Sequence, residues 1–401
     1  MKNLMVFCLV FMSLSLYAQD NIQWRGTDRT GIYKETGLLK SWAADGPELL
    51  WHFDKLGEGH SSVAIANDKI YITGLVDEKG QLFVFDLNGK LLQQKSYGKE
   101  WSDSYNGARG TVTINDSKIY VYSGEGNLVC LEQESLNVLW QKSIINDFDG
   151  KNIRWGVNES PLIVDDMVII TPGGEKNNVV ALNKNTGELI WSCEGDGNTA
   201  AYCSPLYIKD LETPQIVTIT AGSALGIDAK TGKELWSLPF VNQYNIHPNT
   251  PIFNDNKLLL VSGYGKGAIM LKFTNGGRAV ETVWEHKALD SQLGSVVKIG
   301  NYIYGSGHKN RYWFCLDWTT GEEKYKDNSI SAGDVIAADG MLYCYSQKGE
   351  MALVKPTPEK FDIVSQFPIT MGTEQHWAHP VIYHGVMYVR HGDTLMAYKI
   401  K

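Results

Sequence analysis

The sequence predicts an all-β protein, an eight-bladed β-propeller of four-stranded antiparallel blades. Three observations carry this. A twelve-residue unit recurs, most plainly as ALNKNTGELIWS at 181–192 and GIDAKTGKELWS at 226–237. A second hairpin precedes each copy, and no segment has helical periodicity. The two ends of the repeat array each supply part of a blade that the other end completes.

The repeated unit reads as two strands joined by a Thr-Gly or Asn-Gly turn, whose residues tolerate the positive φ such a turn needs. CLEQESLNVLWQ (130–141) and CLDWTTGEEKYK (315–326) keep its length, and VFDLNGKLLQQK (84–95) shortens its turn. Residues 270–286 and 352–366 are stretched versions. The closing positions are Trp51, Gln94, Trp140, Trp191, Trp236, Trp284, Tyr325 and Ser365, spaced by 40 to 51 residues, the length of one propeller blade. Each Trp is expected on an outermost strand, packed between neighbouring blades rather than against a ligand.

The preceding hairpins are SVAIANDKIYITG (62–74), TVTINDSKIYVYSG (111–124) and their counterparts at 160–174, 204–222, 250–263, 295–307, 334–346 and 379–392. Asn-Asp, Asp-Gly and His-Gly at the tips are two-residue turn signals. After Ser365 the chain supplies only three strands, ending in LMAYKI (395–400), while LLWHF (49–53) is a fourth strand with no hairpin before it. Pairing the two completes the eighth blade and removes a free sheet edge. Removing 20–54 is therefore expected to abolish soluble folding, and removing only 20–40 to be tolerated better.

Three regions result: 1–18, a secretory signal peptide with Lys2 before an apolar run and a small residue at its end; 19–48, an N-terminal arm; and 49–401, the propeller. The apolar run is too short for a membrane span. Cys8 lies inside that run rather than after a cleavage site, which argues against a lipoprotein anchor. The protein is expected to be exported, periplasmic or secreted, and monomeric. With 45 acidic against 37 basic residues, a net charge of −8 disfavours nucleic acid as a partner. Cys130, Cys193, Cys203, Cys315 and Cys344 are odd in number with no adjacent pair, and read as buried free thiols.

The pattern A/C-apolar-D-x-x-T-G-x-apolar-apolar-W resembles the repeat of pyrroloquinoline-quinone (PQQ)-type propellers, which include quinoprotein alcohol dehydrogenases and the BamB outer-membrane assembly factors. QWRGTDRTGIYKETGLLKSW (23–42) is similar to the arm of many secreted members. The dehydrogenase resemblance implies PQQ and calcium, the metal held by a Glu and an Asn and an Asp acting as base. Glu159, Asn249 and Asp334 stand in that order. Asp334 falls in the seventh repeat, farther round than the resemblance implies, and the adjacent cysteines those enzymes carry are absent. BamB is a lipoprotein, whereas the lipobox is missing here.

In a propeller the residues just before each innermost strand converge on one mouth of the central channel. Aligning the repeats brings His60, Arg109, Asn158, Glu159, Tyr202, His247, Asn249, Asp334, His376, Trp377 and His379 to that mouth. Such a mixture of His, Arg, carboxylate and aromatic groups suits a polar small-molecule site, and its truncation is expected to leave stability nearly unchanged. No H-x-x-x-H or H-x-H spacing supports a metal, SGYGKG (262–267) is a turn without a following helix, and no nucleophile elbow is present.

One fold hosts many functions. The reading adopted is a non-catalytic binding or scaffold module of the cell envelope, with a protein or glycan partner and no cofactor. Two alternatives stand beside it: a periplasmic quinoprotein dehydrogenase using PQQ and calcium, and a carbohydrate-active lyase or hydrolase. The latter would use His60, Tyr202 and His247 for proton transfer, with Arg109 neutralising a uronate carboxylate.

Overall fold

The computed structural model describes residues 20–401; the expected signal peptide and Cys8 lie outside the described residues. Alternating apolar and polar residues produce strands throughout. The only helical segments described are one turn at Ile144–Asp147 and a 3-10 turn at Asn275–Gly277. None is long and apolar enough to cross a membrane.

Eight antiparallel blades form a closed ring. Blade 1 consists of Ala64–Ala66, Lys69–Val76, Lys79–Asp86 and Leu91–Lys99, in spatial order from the channel outward. Blades 2 to 7 repeat this order. Blade 8 takes Val381–Tyr383, Val386–His391 and Thr394–Lys399 from the C-terminus and Leu49–Phe53 from the N-terminal side, with Trp51 opposite Ala397. Closure by the two ends of the chain thus follows the sequence reading.

The hairpin tips carry positive φ at both central residues, as at Asn67-Asp68 (51° and 57°) and His384-Gly385 (50° and 74°). In blades 2 and 5 the turn falls on Asp116-Ser117 and Asp255-Asn256, one residue beyond the Asn-Asp pair that the sequence suggested.

The recurring Trp and the recurring Gly belong to one device. Each indole lies on the Thr-Gly or Asn-Gly turn of the following blade and donates its Nε1–H there. Trp51 donates to Leu87 O (3.0 Å), Trp140 to Lys184 O (3.1 Å), Trp191 to Ala229 O (3.1 Å) and Trp284 to Trp318 O (3.2 Å). In blade 5 the turn is stretched, and Gln215 relays the contact. Trp236 donates to Gln215 Oε1 (2.8 Å), whose Nε2 donates to Gly277 O (2.6 Å). All five described cysteines are buried and free.

The first residues of the inner strands make a belt around the channel. The backbone N–H of Ser62 donates to Thr111 Oγ1 (3.1 Å), that of Thr111 to Ser160 Oγ (3.0 Å), and that of Ser160 to Ser204 Oγ (2.9 Å). Ser62 Oγ donates to His379 O (2.9 Å), which extends the belt to blade 8. These hydroxyls hold blade to blade.

The arm is woven into the ring rather than leading up to it. Ile32–Tyr33 pairs in parallel with Gly333–Ala338 of blade 7, and Tyr33, Leu38 and Trp42 join the core of the seventh and eighth blades. Arg25 and Arg29 enter the channel and are buried there. Arg29 donates to the carbonyls of Ser160 (3.2 Å), Pro205 (3.0 Å) and Pro161. Arg25 donates to Val296 O (2.7 Å), Thr30 O (3.0 Å) and His379 Nδ1 (3.1 Å). The expectation that 20–40 is the more dispensable part does not fit this arrangement, because the arm carries both core side chains and the channel's buried charges.

Candidate functional site

Alternate connections of a propeller blade emerge on the same face. On one face of this ring lie the loops joining one blade to the next and those joining second to third strands. They enclose a cavity of about 750 Å³. Its floor is arm residue Trp24, whose indole donates to Thr250 Oγ1 (3.2 Å) and packs against His379 with ring centroids 4.4 Å apart.

Five of the eleven mouth residues line this cavity: His60, Arg109, Asn158, Tyr202 and Trp377. His60 and Tyr105 flank Trp377, with centroids 5.0 Å and 5.5 Å from it. Neither ring nitrogen of His60 has a hydrogen-bond partner. Burial, then the charge of Arg109, pushes its pKa well below the usual histidine value, so the imidazole is neutral at pH 7. Arg109 is 8% exposed; one Nη donates to Tyr105 O, and its Nε has no partner. Tyr202, also nearly buried, holds a left-handed φ of 72° and has an unpartnered hydroxyl.

The other six residues turn away. Glu159 follows Asn158 directly, and successive side chains of an extended chain point to opposite sides. It accepts from the Thr171 N–H at 2.7 Å; burial pushes its pKa up to about 7, partly offset by this bond and by Arg29. His247 is fully buried against Phe240 and bonded through Nδ1 to Ser262 Oγ (2.7 Å). Asn249 donates to Ser291 O (2.8 Å). His376 stacks on His391 at 3.6 Å and is bonded to the Tyr345 hydroxyl (2.6 Å).

Asp334 is fully buried, 3.1 Å from His379 Nε2, though not aligned for a hydrogen bond. A guanidinium can only donate, so His379 Nδ1 accepts from Arg25 and the ring proton sits on Nε2, 2.7 Å from Leu293 O. Burial raises the Asp334 pKa; His379 and Arg25 oppose that rise. These six are corrections to the aligned-column reading, which tracks backbone position and not the direction of the side chain.

Ser160, Ser204 and Gln292, which stand in the same aligned columns, also line it, whereas most of the remaining lining was missed. Arg154 lies 4.7 Å over the Trp155 ring, Trp155 meets Tyr244 at 6.4 Å, Tyr244 meets Tyr264 at 4.7 Å and Tyr264 meets His308 at 4.9 Å. Gln243 and Lys309 add to the polar part. Most of these sit in connections that have no counterpart from repeat to repeat. Their available signal was aromatic and cationic residues in the longer loops.

The charge of the lining is one-sided. Arg109, Arg154 and Lys309 contribute to it, and no Asp or Glu does. Neighbouring carboxylates are turned to backbone donors: Glu100 accepts from Trp101 N–H (2.8 Å) and Asp290 from Gly265 N–H (2.8 Å). At Glu159 and Asp334 burial dominates, and the charges of Arg29 and Arg25 of the arm oppose it only in part. None of Glu159, Asn249 and Asp334 lines the cavity, so a quinone seated there would not meet them as calcium ligands. Among the described residues no cluster of three or more His, Cys, Asp or Glu is placed to hold a metal.

A family model described as outer membrane protein assembly factor BamB matches residues 88–327. The quinoprotein ethanol dehydrogenase of Pseudomonas aeruginosa is 29% identical over 158 residues, covering 35% of this chain. The chain spans only 25% of that relative's length. Among solved structures, BamB from Moraxella catarrhalis superposes with a TM-score of 0.64 at 14% identity, covering 88% of this chain and 99% of that one. Quinohemoprotein alcohol dehydrogenase from Comamonas testosteroni gives 0.68 at 12% identity, covering 95% and 80% respectively. At these identities the structural likeness shows the fold alone.

Proposed function

Because the chain belongs to the PQQ-type propeller family described as outer membrane protein assembly factor BamB, we propose that it is an exported, non-catalytic binding module of the cell envelope. The cavity at the channel mouth is its ligand site, and its partner is an envelope protein or glycan. One observation carries this reading: cations, aromatic rings and amides line the cavity, while Glu159 and Asp334, the carboxylates that quinone chemistry would need, lie buried outside it. Convergent polar groups in a largely aromatic concavity are the usual makeup of a binding site.

The test is a thermal-shift panel of envelope-derived glycans and peptides on the chain from residue 20. A member of the panel raises the melting temperature of the wild type and not of Trp377→Ala. A wild type indifferent to the whole panel contradicts the reading.

The convergence of His60, Arg109 and Tyr202 on one cavity supports a second reading, a carbohydrate-active lyase or hydrolase. A neutral imidazole could take a proton beside a carboxylate that Arg109 neutralises. His247 leaves that cast, being buried between strands. Ultraviolet absorbance from an unsaturated uronate product would reveal the lyase and new reducing ends without it the hydrolase, and neither is expected of a binding module.

A further inference from the structure

We infer that the mouth cavity recognises an acidic saccharide, a glycan segment bearing uronate carboxylates; this rests on the cavity being a ligand site as proposed above. Charge favours an anionic ligand. The chain is acidic overall, at −8, yet the cavity gathers Arg109, Arg154 and Lys309 without one lining carboxylate. A positive recess in a negative surface focuses field lines and selects an anion.

The rings favour a pyranose. Trp377 with Tyr105 occupies the sector of blades 8 to 2, and Trp155 with Tyr244 and Tyr264 that of blades 3 to 5. A pyranose presents an apolar C–H face that such rings cover, and an edge of hydroxyls that Asn158, Gln243 and Gln292 can bond. An acidic peptide would use the cations but leave most of this aromatic area without a flat partner.

Unsatisfied donors favour ligand oxygens. The Tyr202 hydroxyl and Arg109 Nε lack partners within the protein although both side chains are more than nine-tenths buried. Such groups are costly unless a ligand oxygen completes them. Arg109 and Tyr202 line the same cavity, which offers a ligand a fixed cation and a hydroxyl donor together. That pair matches a carboxylate and an adjacent ring hydroxyl.

The experiment is calorimetric titration of the chain from residue 20 with trisaccharides of galacturonate, glucuronate and mannuronate, alongside maltotriose and a hexaglutamate peptide. At least one uronate trisaccharide binds, maltotriose and the peptide do not, and added salt weakens the interaction. Arg154→Gln, on an exposed side chain, weakens it about tenfold, the loss expected for one charge-assisted bond. Trp377→Ala weakens it similarly. Arg109→Gln is the third variant, used only if its melting temperature matches the wild type. Equal binding of maltotriose, binding of the peptide alone, or no binding of any uronate overturns the inference. The first two outcomes, if Trp377→Ala abolishes them, leave the cavity a ligand site.

Discussion

The indole of Trp191 lies against Gly232 of the next blade, and its Nε1 donates to the Ala229 carbonyl at 3.1 Å. A Cβ on Gly232 would stand 2.7 Å from Trp191 Cε3, and its φ of +74° is already one that side chains resist. The Thr-Gly turn of one repeat and the Trp of the preceding one are therefore two halves of a blade-to-blade contact.

Trp191→Ala should lower stability by about 3–5 kcal/mol, the range for an aromatic removed from a core. Gly232→Ala should cost about 1–3 kcal/mol from the other side of the same contact. Denaturant melts of the two variants and their double mutant provide the check. Strict additivity would contradict a shared contact, since residues that touch are expected to couple.

The arm carries the second prediction. Deleting 20–40 removes Arg25, Arg29, Tyr33 and Leu38, leaving Asp334 and Glu159 buried without their guanidinium neighbours. Its soluble yield should fall as far as that of the 20–54 deletion. Arg29→Met should alone cost about 2–5 kcal/mol, because it leaves the carbonyls of Ser160, Pro161 and Pro205 without their donor. A 20–40 deletion that melts like the full chain would show the arm to be an accessory.

The blades and their closure were legible because their causes are local. Two-residue tips such as His384-Gly385 state their own geometry, and the unmatched strand at Leu49–Phe53 needs only counting. The site was half legible. Asn158 and Glu159 are neighbours in sequence yet only the first lines the cavity, because an extended backbone sends them to opposite sides. Arg25 and Arg29 could not be placed without knowing that the arm threads the channel, and Trp155 or Tyr244 belongs to no repeating column.

The histidines give a pH prediction. Burial, then Lys266, pushes the His247 pKa down to about 3. An unfolded histidine titrates near 6.5, so the stability held in this neutral ring is fully present above about pH 6.5 and is lost as pH falls toward 3. The loss is about 1.4 kcal/mol per pH unit in that window. His376, lowered to about 4, acts in the same direction. His247→Gln should flatten the acid limb of the stability profile; a limb parallel to the wild type between about pH 6.5 and 4.5 would contradict this.

Mouth residues divide by what they touch. Arg154→Gln, exposed over Trp155, should change stability by no more than about 0.5 kcal/mol. His379→Ala should instead cost about 2–4 kcal/mol, because it strips Arg25 Nη1 and Leu293 O of their partner and opens space against Trp24. Equal melting temperatures for the two variants would mean that His379 belongs to the rim after all.

In the reading proposed above, Glu159 and Asp334 are buried structural carboxylates outside the cavity rather than calcium ligands beneath a quinone. Equilibrium dialysis of the chain from residue 20 against PQQ with calcium, followed by its absorbance spectrum, tests this most directly. No calcium-dependent retention of the quinone is expected, in the wild type or in Glu159→Gln. Retention of one quinone per chain that requires calcium and disappears in Glu159→Gln would contradict it.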